Sequence, residues 1–464
     1  MLINQIISQP LRIIVSIILT RILIPEDFGV VAKSFAITGI AEIVLVNSLL
    51  GAIIQDKNIN KGQLDSLFIL TVLWSFVITL IVFFSADLFS VFYSDSRVGT
   101  IVKLTSIAIF FSGFKLVPSA LINKKLEFNK VFYASLSAIL VSSIIAIYLA
   151  YNQFGYITLI VQYLLYVIVN SLVLFLMSSW KPSVYFKYNE IYSHLRFGYN
   201  VLGNSFLNYM VRSTDNIALG KFQSDESLGI YSRAYYLMMA PLEQVNKIFN
   251  NLLFPSFSMI QNNRKQIGEI LLKTQELTLI LFYPILTLIF FNIDFLIINI
   301  LGDNWVQSIK LFKLFTPLIF IQLFTSLISN VFTSLNKVNY LFKFSLLTKP
   351  ILIIAIIIAA WHGESEVAFI ITLLSGIFSS VIYYKGLKLL NFEFIKDVLH
   401  FLLYFVYGWV SMIIVELILI YFNLNQYEYF ISSLIVLLIL YIYLYKVKSK
   451  IFKDIKEILY AKNI

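Results

Sequence analysis

The sequence predicts an all-α polytopic membrane protein with about 14 transmembrane helices, arranged as two six-helix lobes and an appended helix pair. Of its 464 residues, 59% are hydrophobic and only 13% are charged, which is about half the charged fraction of a soluble domain. Apolar stretches of about 20 residues, each long enough to cross the hydrocarbon layer, recur along the chain. The alternation of charge between loops and an internal repeat support the same fold class.

The hydropathy pattern sets the individual spans. Their approximate cores are 3–24, 29–53, 64–93, 99–122, 131–151, 154–179, 195–219, 228–253, 268–300, 306–335, 340–360, 366–384, 398–421 and 428–445. The longest loop, from Trp180 to His194, is too short for a soluble catalytic domain, so we expect no enzymatic activity. Because there is no cysteine and the three histidines are scattered, we also expect no disulfide and no metal site.

Successive loops alternate in charge. One set holds most of the lysines and arginines, including Lys124, Lys125 and Lys130, whereas the other set is acidic and has Arg97 and Lys221 as its basic residues. Cytoplasmic loops of membrane proteins are enriched in Lys and Arg. The alternation therefore predicts that both termini are cytoplasmic.

After a shift of two hundred residues, the sequence partly matches itself. The segment "RILIPEDFGVVAKSF" begins at Arg21 and "KFQSDESLGIYSRAY" begins at Lys221. Six spans per repeat make the repeat parallel, and two such lobes suit a transporter that rocks about a central site better than an enzyme. The predicted parts are an N-terminal lobe, a cytoplasmic linker, a C-terminal lobe, two further helices and a basic cytoplasmic tail, at 1–180, 181–194, 195–390, 391–447 and 448–464.

Two helices carry polar residues at intervals of four. Helix 7 has Arg196, Asn200, Asn204, Asn208, Arg212 and Asn216, and helix 1 has Asn4, Ser8, Arg12, Ser16 and Thr20. An arginine facing lipid at mid-membrane costs about 2.5–3.5 kcal/mol, so both faces should line a central cavity. Two guanidinium groups at matched depth can bind phosphate bidentately. The residues predicted to line this cavity and bind such an anion are Arg12, Arg212, Asn204, Asn208, Asn4 and Asn216.

The charges inside the membrane could also have purely structural roles. Arg212 and Asp215 are i, i+3 neighbours and could neutralise each other. Arg12 has no such neighbour and needs an anion or a remote carboxylate, for which Glu42 is the candidate. Asp215 and Glu42 are also candidates to balance charge or to carry a coupling cation, Na⁺ or H⁺.

Lys33 and Arg233 occupy equivalent positions near the outer ends of helices 2 and 8. Their side chains either snorkel to the interface or contact the anion on its exit side.

Several segments, in order along the chain, resemble those of a known family. They include "LTRILIPEDFGVVAKSFAITGIAEIVL", "PSALINKKLEFNKVFYASL" and "RFGYNVLGNSFLNYMVRSTDNIALGKF". The chain resembles Wzx-type polysaccharide flippases of the multidrug/oligosaccharidyl-lipid/polysaccharide exporter superfamily, from its first residues to about Lys388.

The resemblance implies a MATE-like arrangement of the lobes in a bacterial inner membrane. It also implies translocation of undecaprenyl-pyrophosphate-linked oligosaccharide units for O-antigen, capsule or exopolysaccharide. The implied partners are that lipid-linked substrate, membrane lipid, a polysaccharide polymerase and a chain-length regulator, with no nucleic acid. It implies no cofactor apart from a coupling cation.

Three further functions compete with this hypothesis. A drug or organic-cation antiporter of the same fold would need carboxylates and aromatic residues in its cavity, but the deep charges here are mainly basic. A flippase for the cell-wall lipid precursor would use the same lobes and a similar cavity. A membrane-embedded polysaccharide polymerase would need a large polar outer loop or a cytoplasmic acidic pair, and neither is apparent in the sequence.

Overall fold

The computed structural model describes the backbone of residues 2–422 and 425–447. Within those ranges some side chains lie outside the description. They are those at 2–7, 42–48, 199–201, 203–208, 244, 248, 251, 252, 324, 397, 400, 401, 403–405, 407, 408, 411, 415, 418–420, 422, 440 and 443–447. The predicted basic tail at 448–464 also lies outside the described residues.

The described chain is helical, and no described residue lies in a β-strand. The helices are α1 (Leu2–Ile22), α2 (Pro25–Gln55), α3 (Lys61–Tyr93), α4 (Ser96–Lys124), α5 (Phe128–Tyr151), α6 (Ile157–Met177), α7 (Tyr188–Phe222), α8 (Asp225–Met259), α9 (Arg264–Phe291), α10 (Ile293–Leu296), α11 (Ser308–Thr325), α12 (Ser329–Ser334), α13 (Val338–Ala360), α14 (Glu364–Leu390), α15 (Phe394–Phe422) and α16 (Gln426–Val447). A π-helical turn follows α10 at Ile297–Leu301, and 3₁₀ turns lie at Asp303–Trp305 and Ser326–Ile328.

Eight segments of the described chain are long and apolar enough to cross a membrane. They are Lys61–Tyr93, Ser96–Lys124, Phe128–Tyr151, Ile157–Met177, Arg264–Phe291, Ser308–Ser334, Val338–Ala360 and Glu364–Leu390. These segments confirm the prediction of an all-α, multi-pass membrane protein. The count of about 14 spans stays a prediction, because several further helices include residues outside the described set.

Local sequence signals determine where several helices begin. Pro25 lies in the first turn of α2, where its missing N–H costs nothing. A capping box starts α3: the Asn60 side chain accepts from the backbone N–H of Gln63 at 2.8 Å, and the Gln63 side chain accepts from the Asn60 N–H at 3.0 Å. The side chain of Asp95 caps α4 by accepting from the Arg97 N–H at 2.9 Å.

The chain divides into two compact units. The first unit contains Met1–Arg233 and Ile356–Glu364, and it includes α1 to α7 with the first turns of α8. In this unit α2 packs against α4 and α7, α3 against α4, α5 against α6, and α1 against α5. Small residues bring α3 and α4 together: Gly113 lies directly on Ser75, so their backbones approach closely, as is common between membrane helices.

The second unit contains Ala234–Ala355 and Ser365–Ile464. Here α9 packs against α11, α15 and α16. Its core includes Phe257, Leu279, Phe332 and Tyr383, all buried. The Tyr383 hydroxyl donates to the buried side chain of Gln275 at 3.1 Å. These two polar groups of the core are thus hydrogen-bonded, as burial requires.

The segment between α6 and α7 is anchored to the start of α3. Asp65 is 1% exposed. Its carboxylate accepts from the Trp180 indole N–H at 3.0 Å and from the Ser183 hydroxyl. The backbone N–H of Lys187 donates to the Ser66 hydroxyl at 3.0 Å. α7 begins at Tyr188, so the non-helical part of the predicted 181–194 linker is shorter than expected.

We predict that Asp65→Ala lowers the free energy of unfolding by about 2 kcal/mol, because it leaves the buried Trp180 N–H without an acceptor. Asp87→Ala is the matched control. Asp87 is 75% exposed and pairs with Lys103, so its loss should change stability by about 0.5 kcal/mol or less. Thermal unfolding of both variants in the same detergent measures this. Equal stability of the two would show that Asp65 does not anchor the segment.

Candidate functional site

Arg12 lies in the middle of α1 and is bound by an aromatic residue of α6. Its guanidinium donates to the Tyr166 hydroxyl and lies 4.7 Å from the centre of the Tyr166 ring. Among the described residues no carboxylate lies within ion-pair distance of Arg12. A guanidinium over an aromatic face is stabilised by cation–π attraction. That contact orients the group but does not neutralise it.

Two polar atoms on the same face of α1 have no hydrogen-bond partner among the described residues. They are the Nε of Arg12 and the hydroxyl of Ser8, and both atoms are buried. Ser8 precedes Arg12 by four residues, so the two side chains are neighbours on one face of the helix. A buried polar group without a partner costs about 1–3 kcal/mol, so such a pair is expected to have a ligand or a function.

The remaining polar residues of α1 hold an arginine of α8. The Arg233 Nε donates to the Thr20 hydroxyl at 2.6 Å, and its Nη2 donates to the Ser16 carbonyl at 2.9 Å and to the Ser16 hydroxyl. Its guanidinium also lies 4.5 Å from the centre of the Phe28 ring. Arg233 is therefore held by α1 and α2 rather than reaching freely to the interface.

Lys33 of α2 is equivalent to Arg233 in the repeat, and it contacts the end of α7 as Arg233 contacts the end of α1. Its stem packs over Gly220, which is the position equivalent to Thr20, and its ammonium forms an ion pair with Asp225. Lys33 is 5% exposed and lies 5.5 Å from the centre of the Tyr93 ring. The Thr20 hydroxyl accepts a hydrogen bond from Arg233, whereas the equivalent Gly220 has no side chain and leaves room for the alkyl chain of Lys33.

The starts of α2 and α8 touch through a reciprocal pair of glycines. A Cβ on Gly29 would overlap the carbonyl oxygen of Asp225, and a Cβ on Gly229 would overlap that of Pro25. Each of these contacts maps onto the other when the chain is shifted by two hundred residues. The two contacts are therefore equivalent under the internal repeat of the sequence.

Five charged residues surround this glycine contact, and we name them the seam cluster: Glu26, Lys33, Asp95, Arg97 and Asp225. The Arg97 guanidinium binds three carboxylates, at 2.7 Å from Glu26, 3.0 Å from Asp95 and 2.6 Å from Asp225. Asp225 also pairs with Lys33. One arginine thus connects the starts of α2, α4 and α8.

The charge of Asp95 is stabilised by its neighbours in the seam cluster. Burial raises the pKa of Asp95, but hydrogen bonds from Arg97 outweigh it and leave that pKa below its usual value. Because the folded-state pKa of Asp95 is depressed, its contribution to stability is present at neutral pH. It is lost as the pH falls through that depressed pKa. The carboxylate is therefore charged, and bound to Arg97, throughout the physiological range.

The polar residues of α7 nearest its C-terminal end are bound by α8. Asp215 is 4% exposed. Its carboxylate accepts from the Tyr231 hydroxyl at 2.8 Å and from the Asn216 N–H at 2.7 Å. The side-chain oxygen of Asn216 is buried without a hydrogen-bond partner among the described residues. Arg212 is exposed on the same helix.

The structure brings the sequence-predicted residues together only in part. Arg12, Arg212, Asp215, Asn216, Lys33 and Arg233 all lie in the first unit. The side chains of Asn4, Glu42, Asn204 and Asn208 lie outside the described residues, so their predicted roles stay predictions.

Sequence reasoning did not find Tyr166 or the seam cluster as a unit. Tyr166 is one of 28 tyrosines and carries no distinguishing signal. Arg97 does carry a distinguishing signal in the sequence, because it is an isolated arginine in a set of acidic loops. Lys221, the other basic residue of those loops, donates to the Phe92 carbonyl at the end of α3.

Comparison with known proteins identifies the family of this chain. Residues 18–310 match the sequence family described as polysaccharide biosynthesis protein. The chain belongs to the polysaccharide biosynthesis protein family. It is 25% identical over 348 residues to the lipopolysaccharide biosynthesis protein WzxC of Escherichia coli K12, covering 74% of this chain and 70% of that protein. The resemblance to polysaccharide flippases is thereby confirmed.

Two further comparisons agree. The teichuronic acid biosynthesis protein TuaB of Bacillus subtilis is 24% identical over 290 residues, covering 59% of this chain and 57% of TuaB. Among solved structures, the lipid II flippase MurJ in an inward closed conformation is similar with a TM-score of 0.77, 17% identity, and coverage of 96% of this chain and 98% of MurJ. A multidrug MATE transporter in an inward-facing conformation gives a TM-score of 0.59 at 13% identity, covering 83% and 95% of the two chains. These likenesses confirm the MATE-like fold.

Proposed function

We propose that this protein moves undecaprenyl-pyrophosphate-linked oligosaccharide units from the cytoplasmic to the outer leaflet of a bacterial inner membrane by alternating access. Its family and the names of its relatives, which include a succinoglycan biosynthesis transport protein, support a role in polysaccharide export. The polymer made from these units is an O-antigen, a capsule or an exopolysaccharide. Both termini then lie in the cytoplasm, as the loop charges predict.

The observation that carries the proposal is that Arg12 has no anionic partner among the described residues. A guanidinium in the middle of a membrane helix is expensive unless it is paired, yet within the described residues Arg12 has only an aromatic partner, and its Nε has none. A phosphate oxygen supplies the missing acceptor and the missing negative charge at once. The unpartnered hydroxyl of Ser8, one turn away, can donate to the same anion.

The pyrophosphate, the sugars and the polyprenyl tail of the substrate are each placed differently relative to the polar faces of α1 and α7. The pyrophosphate binds at Arg12, with Arg212 as the equivalent cation of the second repeat. The amides of Asn4, Asn204, Asn208 and Asn216 bind phosphate oxygens or sugar hydroxyls. The polyprenyl tail stays in the lipid, because burying it in a polar cavity would forfeit its hydrophobic stabilisation.

The membrane potential favours this direction of transport. An inside-negative potential contributes about 2.3 kcal/mol per charge per 100 mV, so a dianion moving outward gains about 4–5 kcal/mol. A cation that resets the empty carrier, Na⁺ or H⁺, would bind at Asp215, whose neighbour Asn216 offers an unpartnered oxygen, or at Glu42. The exported unit then becomes available to a polymerase and its chain-length regulator.

The leaflet that holds the substrate tests the proposal. In a host lacking the polymerase, repeat units should collect in the outer leaflet while the protein is made and in the inner leaflet after its depletion. Periodate, which does not cross the membrane, followed by a hydrazide tag on intact spheroplasts, measures the exposed sugar. Units that stay fully accessible after depletion would refute the function.

A further inference from the structure

We propose that the seam cluster is the latch of the outward gate: its ion pairs hold the starts of α2 and α8 together in the closed state and must part before substrate leaves. The inference rests on the alternating access of the proposed function. It assigns a role to Glu26, Lys33, Asp95, Arg97 and Asp225 that substrate binding does not require.

The geometry of Arg97 makes it the centre of the latch. Its Nη1 lies 2.7 Å from Glu26 at the start of α2, and its Nη2 lies 2.6 Å from Asp225 at the start of α8. Arg97 itself is fixed by Asp95, which also caps α4. A planar guanidinium with several donors can hold two helix ends at once in a way that a lysine cannot.

Asp225 is the only member of the cluster that comes from the second repeat. The other four members together carry two positive and two negative charges. When Asp225 is removed from the cluster, the buried ammonium of Lys33 loses its ion pair. Separation of α8 from α2 therefore breaks two ion pairs in one movement. A buried pair that loses one partner is strongly destabilised unless water enters.

The backbone contact beneath the cluster contributes little of its own. Gly29 and Gly229 have no side chains, so their apposition buries little apolar area. The charges consequently supply a large part of the closing free energy at this point. Once water reaches the separated charges, their solvation offsets much of the lost ion-pair energy, which suits a contact that opens and closes repeatedly.

The absence of cysteine from the sequence allows a direct measurement. Ser34 is fully buried on α2, one residue after Lys33, so Ser34→Cys places a single buried thiol beside a member of the latch. A maleimide that does not cross the membrane is added to intact cells, and the rate of thiol modification is measured. Arg97→Gln and, separately, Asp225→Asn should each raise that rate at least about fivefold over the Ser34→Cys parent.

Lys103→Gln is the matched control, because it removes another cation of α4 whose side chain is also 37% exposed and whose partner is Asp87. It should leave the rate unchanged. Unchanged modification in both latch variants would overturn the proposal, as would the loss of both variants from the membrane, since the cluster would then be needed for folding. The assay needs no substrate, so failure of the flippase function would not affect its outcome.

Discussion

Gly229→Ala is expected to destabilise the protein strongly, because it adds a methyl group where α8 touches the backbone of α2. The new Cβ would overlap the carbonyl oxygen of Pro25, and both groups belong to backbone that cannot rotate away. Overpacking of this kind costs about 1–3 kcal/mol, and a rigid backbone contact belongs at the upper end. Gly29→Ala should behave in the same way, because its Cβ would overlap the Asp225 carbonyl. Thermal unfolding in detergent measures both losses.

Gly51→Ala is the matched control on α2. Its Cβ would lie 3.5 Å from the Phe197 ring, which is ordinary van der Waals contact. Since alanine is a better helix former than glycine by about 1 kcal/mol, this variant should be unchanged or slightly stabilised. If Gly229→Ala and Gly51→Ala were equally stable, the close contact between the starts of α2 and α8 would be refuted.

Arg12→Ala is expected to lower export by about 10- to 150-fold while leaving the amount of protein in the membrane unchanged. That range corresponds to the loss of about 1.5–3 kcal/mol from charge-assisted hydrogen bonds. Arg12→Lys should recover only part of the loss, because an ammonium cannot bind two phosphate oxygens in a fixed fork. Arg264→Ala changes an exposed arginine at the start of α9 and should export normally. The rate of appearance of surface polymer measures all three.

Tyr166 gives a second, independent test of the same site. Tyr166→Phe keeps the ring under Arg12 but removes the hydroxyl that accepts its hydrogen bond. Export should fall about 3- to 10-fold, as expected for one hydrogen bond. In the Arg12→Ala background the same change should have no further effect, because the two residues act together. An additive loss would show that Tyr166 does not position Arg12.

Hydropathy predicted most of the helices because apolar length is what a bilayer selects. The predicted spans depart from regular α-helix only locally. The predicted span 268–300 ends as a regular helix at Phe291, where Asn292 turns its side chain back to the Leu288 carbonyl. The predicted span 306–335 is interrupted by a 3₁₀ turn at Ser326–Ile328. Polar side chains that bond to their own backbone favour such breaks, and hydropathy does not detect them.

The start of α7 shows a different limit. The predicted span begins at 195, but the helix begins at Tyr188. The first turns are polar and aromatic and are stabilised by neighbours, since the Tyr185 hydroxyl donates to Glu190 at 2.7 Å and Gln63 donates to the Glu190 carbonyl at 3.2 Å. Tertiary contacts of this kind cannot be read from a hydropathy window.

The internal repeat was the most informative feature for the site. It matched Gly29 with Gly229 and Lys33 with Arg233. The structure places the two glycines in reciprocal backbone contacts and packs Lys33 over Gly220, the equivalent of the Thr20 that binds Arg233. The repeat could not show which carboxylates meet Arg97, because those pairings join distant loops. It also could not show Tyr166, because α6 has no polar ladder of its own. The roles of Asn204 and Asn208 in binding sugar or phosphate stay predictions.

Transport by the purified protein tests the central claim most directly. The protein is reconstituted into vesicles that carry an undecaprenyl-pyrophosphate-linked oligosaccharide in one leaflet, and arrival in the other leaflet is followed with an impermeant sugar-oxidising reagent. We predict transfer well above that of protein-free vesicles, faster with a membrane potential that pulls the anion, and strongly reduced in Arg12→Ala. Transfer equal to that of protein-free vesicles, with an organic cation transported instead, would contradict the proposed function.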